Sequence, residues 1–187
     1  VQEGIGSLDG EQREVLVQQA VLAEVRAESD RLRQENNHLN YDMIVLYQFV
    51  NNLATCRSSE AVCQEFVGTV QQSIDPDVVG LFLLNPEDGT LQLAAHNGLT
   101  ELAVTNTGFR VGHGLVGWVA ANGREMLVDD AEVDPRFPEL RGPGFAPKFR
   151  AAIGLPLLTQ NRVLGVTVVG RSAGGFSQDE LRLLFII

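Results

Sequence analysis

The sequence predicts an α+β fold: a long coiled-coil helix, then a central, mostly antiparallel sheet flanked by helices. Three observations carry this. Residues 11–67 contain neither Gly nor Pro, and their apolar side chains recur in heptads. Beyond residue 75 the period shortens to that of strands, with Gly-, Pro- and Asn-containing turns between them. The helical segment after the first two strands is too short for a parallel crossover, and the last two strands are separated by a short turn.

In the first region, Val15, Leu22, Ser29, Asn36, Met43 and Val50 form one heptad series. Gln18, Val25, Leu32, Leu39, Leu46 and Leu53 form another, offset by three. This is the a/d pattern of a coiled coil, with Leu at most d positions. Asn36 at an a position favours a fixed register in two parallel strands, and Glu28 and Arg33 stand where they can pair between helices. A long helix lying on its own domain would show a similar stripe, but off the seam residues 24–37 are nearly all polar. The expected partner is therefore a second copy, in a parallel homodimer whose seam is Leu22, Val25, Leu32, Asn36, Leu39, Met43 and Leu46. The helix should run about 70 Å before breaking near Arg57-Ser58-Ser59.

A second helix is expected over 59–73, with Val62, Phe66, Val67 and Val70 on one face and Asp75-Pro76 ending it. Residues 78–84 read as a buried strand, and Asn85-Pro86-Glu87-Asp88-Gly89 as the turn into a returning strand with Leu91, Leu93 and Ala95. A strand over 108–111, a short helix over 115–121 and a strand over 126–128 follow. A polar, Pro-containing loop covers 129–148, and strands 151–158 and 163–170 flank Thr159-Gln160-Asn161-Arg162. Ser177 caps a last helix with Leu181, Leu184 and Phe185 on its apolar side. The divisions are a flexible N-terminus (1–10), the coiled-coil helix (11–41) and an α+β domain (42–187). With no initial Met and an apolar helical end, the chain reads as a segment cut from a longer protein.

Composition narrows the function. The 187 residues carry a formal charge of −10, which disfavours nucleic-acid backbones and anionic membranes. No apolar run approaches the roughly 18 residues of a membrane span, so no membrane insertion is expected in this segment. Two cysteines are too few for a disulfide scaffold, and a reducing cytoplasm is the expected setting.

Gly112-His113-Gly114-Leu115-Val116-Gly117 matches G-x-G-x-x-G, with Asp129 and Asp130 near the position of a ribose-binding acid. The short following helix and the antiparallel strands beyond it do not fit a dinucleotide fold. Asp130-x-Glu132-x-Asp134 fails as a calcium loop because Pro135 and Arg141 stand where Gly and Glu are needed. No Ser-His-Asp or Cys-His grouping and no general acid–base pair stands out, so no catalytic residue and no enzymatic activity is expected of this segment.

The stretch Phe109-Arg110-Val111-Gly112-His113-Gly114-Leu115-Val116-Gly117-Trp118-Val119-Ala120 resembles the central signature of GAF domains. So does Asn122-Gly123-Arg124-Glu125 continuing through Val128-Asp129-Asp130 to Asp134-Pro135-Arg136-Phe137. Ile153-Gly154-Leu155-Pro156-Leu157, Leu164-Gly165-Val166 and Phe176-Ser177 with Asp179-Glu180-Leu181 are similar to the closing strands and last helix of that family. The resemblance spans about 42–187, and the upstream heptads resemble the signalling helices of bacterial signal-transduction proteins. It implies a sensory or regulatory module with a pocket between the short helix and one face of the sheet.

Candidate pocket residues are Phe109, Arg110, His113, Trp118, Asp130, Phe137, Phe149 and Arg150. Aromatic faces and Arg forks suit a nucleotide, and Arg110, Arg136, Arg141, Lys148 and Arg150 cluster in a region that is otherwise acidic. The alternative is that the aromatics are core and the arginines pair with Asp129, Asp130, Glu132 and Asp134. Cyclic-nucleotide-binding members carry N-K, a spacer, then F-x-x-x-D-E. Here Gly170-Arg171 replaces N-K and two residues separate Phe176 from Asp179-Glu180, although Arg171 could pair with either acid. Cys56 and Cys63 lie in the N-terminal helices, away from where a covalent bilin or a methionine-sulfoxide reductase would need them, and read as buried thiols. His113 alone makes a poor haem site, so the cofactor stays unassigned. The expected function is a sensory GAF module relaying signals through a dimeric helix. The alternatives are a structural dimerisation module without ligand and a cyclic-nucleotide-binding domain.

Overall fold

The computed structural model describes residues 10–99, 109–131, 133–136, 150–160 and 162–187. Its helices are α1 (Gly10–Thr55), α2 (Ser59–Ile74), α3 (Gly114–Asn122) and α4 (Gln178–Ile186). Its strands are β1 (Val78–Leu84), β2 (Leu91–Asn97), β3 (Met126–Val128), β4 (Ala151–Thr159) and β5 (Arg162–Arg171). The flexible N-terminus expected over 1–10 falls outside the described residues, except that Gly10 already begins α1. The chain divides into two compact units at residues 44 and 45.

In the N-terminal unit the helix bears Leu22, Val25, Leu32, Leu39 and Met43, each between 52% and 64% exposed in the single chain. Glu28 and Arg33 meet Arg31 and Asp30 of the same helix at 3.9 and 3.7 Å, exposed contacts that contribute little to stability.

In the second unit the strands form one sheet in the order β2-β1-β5-β4-β3, with every neighbouring pair antiparallel. Strand alternation gives the sheet two apolar faces, and each has its own core. One face, with Val78, Phe82, Val166 and Val168, is covered by Leu115, Val116, Val119 and Ala120 of α3. The other, with Val79, Leu81, Ile153, Leu155 and Val169, is covered by Cys63, Val67, Val70 and Ile74 of α2, Leu183 and Leu184 of α4, and Val45 of α1. Fully burying one such side chain stabilises by about 1.5–3 kcal/mol.

The helix ends follow their local chemistry. Ser58 caps α2 by accepting from the Ala61 N–H. Asp75 closes it in a left-handed conformation at φ 44°, which a short polar side chain tolerates better than a branched one. Ser177 and Glu180 form a reciprocal capping box at the start of α4.

Four expectations need correction. No strand forms at 109–111; Arg110 makes an isolated bridge to Thr90, because this segment turns at once into α3. Val62 is 40% exposed and Cys63 takes the buried position, since α2 is rotated slightly from the face the apolar spacing suggests. Phe185 is likewise exposed, and Leu183 is buried beside Leu184. Finally, Ala95 lies on the α2 face while Leu91 packs on the α3 face, because a register shift between Leu81 and Phe82 interrupts the alternation.

Candidate functional site

The glycine turn is built by backbone geometry. Phe109 and Val111 run beside the β1–β2 turn: Leu91 N–H donates to the Phe109 carbonyl at 2.9 Å, and Val111 N–H donates to the Gly89 carbonyl at 3.1 Å. Gly112 and Gly114 take φ of 85° and 64°, in the left-handed region that glycine enters without strain. Gly117 has a different role. A Cβ there would stand 2.0 Å from the Arg110 carbonyl oxygen, so only glycine lets α3 start this close to the preceding segment. Gly154 on β4 performs the reciprocal task, since its Cβ would lie 2.8 Å from Val119. Gly117 thus lets the turn close on the start of α3, and Gly154 lets α3 lie directly on the sheet, without the parallel crossover of a dinucleotide fold.

The candidate pocket residues separate into groups. Phe109 and Trp118 are half-buried against the α3-side core, and the Phe109 ring centroid lies 4.8 Å from that of Phe82. That contact packs Phe109 against the core. Arg110 is exposed in its bridge to Thr90, and His113 is exposed at the start of α3 with no side-chain capping bond. Asp130 and Arg150 are brought close through the backbone: Ala131 N–H donates to the Arg150 carbonyl and Arg150 N–H to the Arg171 carbonyl, both at 2.7 Å. Phe137 and Phe149 lie outside the described residues, as do Arg141, Phe145 and Lys148.

Arg136, counted with the basic cluster, is engaged by an acid. Its Nε and one terminal nitrogen donate to the Asp134 carboxylate at 3.0 and 2.6 Å, and this pairing raises the guanidinium pKa above its ordinary value. The pairing of arginines with nearby acids therefore holds at this position. Among the described residues, no group of three His, Cys, Asp or Glu side chains is placed to hold a metal ion.

A second polar centre sits at the α2–α4 end of the sheet. Arg171 on β5 donates to both carboxylate oxygens of Glu180, at 2.6 and 3.2 Å, to the Gly175 carbonyl at 3.0 Å, and to the Ile74 carbonyl that ends α2. Its guanidinium carbon lies 4.8 Å from the centre of the Phe176 ring. Burial works against the Glu180 charge, but the bonds from Arg171 and Ser177 outweigh it and hold the carboxyl below its ordinary pKa. The sequence leaves Asp179 and Glu180 equal as partners; the fold selects Glu180 and leaves Asp179 3.8 Å from Arg182. The contact to Ile74, across most of the domain's length, has no sequence signal.

Cys63 is buried and Cys56 half-buried, both as free thiols. Burial, and then the charge of Glu60, push the Cys63 thiol pKa up, away from a reactive thiolate.

The model of the GAF domain matches residues 58–187. No curated protein matches the chain. Among solved structures, the GAF domain of an Acinetobacter phosphoenolpyruvate-protein phosphotransferase is 22% identical, with a TM-score of 0.66 over 78% of this chain and 86% of that one. The corresponding domain from Coxiella burnetii is 23% identical, with a TM-score of 0.67 over 81% and 90%. A free methionine-R-sulfoxide reductase from Neisseria meningitidis, solved with its substrate, is 21% identical, with a TM-score of 0.63 over 75% and 79%. At these identities the likeness is one of fold.

Proposed function

The chain belongs to the GAF domain family of sensory and regulatory modules, and on that premise we propose that it is a dimeric signalling module. Its long N-terminal helix pairs with that of a second copy and relays the state of the domain to an output domain. The observation that carries this reading is the stripe Leu22, Val25, Leu32, Leu39 and Met43, all exposed at heptad spacing on one helix. A second helix in parallel register would cover them, with the Asn36 pair fixing that register.

The ligand side of the proposal rests on the α3 face. Phe109, Trp118, Asp130 and Arg150 are the described residues proposed to border a pocket for a small molecule such as a nucleotide, with Arg110 and His113 at its rim. Phe137 and Phe149 are carried in the proposal by sequence alone. The same face also favours a second reading, a dimerisation module with no ligand, because Phe82, Phe109, Leu115 and Val119 already pack closely there. No catalytic role is proposed for this segment: the raised pKa of Cys63 speaks against a thiol nucleophile there. No helix among the described residues is long and apolar enough to cross a membrane, and a reducing cytoplasm remains the proposed setting.

Native mass spectrometry of gently purified protein tests the proposal. A dimer with added small-molecule mass supports a sensor, and a bare dimer favours the ligand-free module. A monomer overturns both.

A further inference from the structure

Along the heptad face of α1, the apolar positions Leu22, Val25, Leu39 and Met43 flank a stretch in which Ser29 and Asn36 are polar and Leu32 is the apolar layer between them. A shallow hollow of about 450 Å³ runs along this stretch, bordered by Val25, Glu28, Ser29, Leu32, Arg33 and Asn36. These are the positions that receive the Ser29 and Leu32 side chains of a parallel second helix. A serine there fills its share of the hollow less than the Leu or Val of neighbouring turns, and forfeits contacts accordingly. On the reading of α1 as a parallel dimer helix, we propose that residues 28–36 form an opening segment. It separates and re-pairs locally, while the apolar turns on either side hold the two copies together.

The single helix already holds the open arrangement. Glu28, Arg33 and Asn36, placed to bond across the seam, each have a partner three or four residues away on their own chain. Glu28 lies 3.9 Å from Arg31, Arg33 lies 3.7 Å from Asp30, and Asn36 Oδ1 accepts from Asn40 Nδ2 at 3.4 Å. In the closed arrangement Glu28 turns to the Arg33 of the second copy, and the two Asn36 amides face each other. Opening therefore swaps one set of exposed polar contacts for another of similarly small worth, and its main cost is the Leu32 layer. Opening at Leu22–Val25 or at Leu39–Met43 uncovers two successive apolar layers instead. A short unpaired stretch holds its helix poorly in water, so the open arrangement is legible in amide exchange.

Hydrogen exchange of the full chain, read by mass spectrometry in a buffer where sedimentation gives the stoichiometry, tests this. Relative to intrinsic rates, amides of 28–36 should exchange at least about tenfold faster than those of 38–44. Ser29→Val keeps Asn36 and its register and suits a two-stranded seam. It should slow the segment by about tenfold and leave 38–44 within about twofold. Arg33→Gln, which removes the cross-seam partner of Glu28, should speed the segment by about twofold. Arg31→Gln, which removes the intrahelical partner, should slow it by about twofold. A monomer overturns the pairing itself. A dimer in which 28–36 exchanges no faster than 38–44, or in which Ser29→Val leaves the segment unchanged, overturns the opening segment alone. Arginine substitutions that move the rate in the same direction, or not at all, overturn the swap of partners.

Discussion

Arg171 grips Glu180 through one N–H of each terminal nitrogen, at 2.6 and 3.2 Å, and with the other N–H of each reaches the carbonyls of Gly175 and Ile74. One guanidinium thus joins the end of α2, the end of β5 and the start of α4. Lysine, with a single ammonium, cannot reproduce this fork. Any change in the seating of α4 must strain or release this contact.

Glu180→Gln should destabilise the domain by about 2 kcal/mol, discounted for the partial exposure of the pair. The sign with pH follows from the lowered carboxyl pKa. Its contribution is complete above the ordinary glutamate value and is lost as pH falls through the lower folded value. Chemical denaturation at neutral pH and in mild acid should therefore show a smaller gap between variant and parent in acid.

Gly117→Ala places a methyl group 2.0 Å from the Arg110 carbonyl oxygen, and the clashing atom is backbone. The expected cost is about 3 kcal/mol or more, with the 110–112 turn pushed away from the start of α3. Gly175→Ala, where an added Cβ meets nothing within 4 Å, is the control and should melt within a few degrees of the parent. Thermal melting of both variants checks the argument.

The two thiols should differ in reactivity. Cys63 is buried with a raised pKa, while Cys56 is partly exposed. Under native conditions, alkylation of Cys63 should be at least about tenfold slower than that of Cys56, and the difference should vanish on unfolding. Peptide mapping of timed iodoacetamide reactions reads this directly.

Thr167→Val removes a buried hydroxyl that has no partner and keeps the side-chain shape. The variant should be more stable than the parent by about 1 kcal/mol. Urea titration measures the difference.

The parts of this fold that were legible in the sequence are those set by local chemistry. The heptads of α1, the break near Ser58, the Asp75-Pro76 stop, the Ser177 cap and the short turn between β4 and β5 each report on neighbours a few residues away. The sheet order was not readable, because the β1–β5 pairing joins Val78 to Gly170 through contacts that leave no periodic mark. The shift at Leu81 and Phe82 moved Ala95 to the opposite face for the same reason. At the candidate site, the glycine roles at 112, 114 and 117 were foreseeable in kind. That Phe109 would be held by Phe82, and Arg136 by Asp134, depended on where the backbone placed them.

The central claim is the parallel pairing of α1, and disulfide trapping tests it most directly. In a chain with Cys56 and Cys63 changed to Ser, Leu32→Cys places a thiol on the seam and Arg31→Cys places one off it. Mild oxidation should convert most of the Leu32→Cys protein to a covalent dimer and leave the Arg31→Cys protein largely monomeric. Equal crosslinking at the two positions, or none at position 32, would contradict the account.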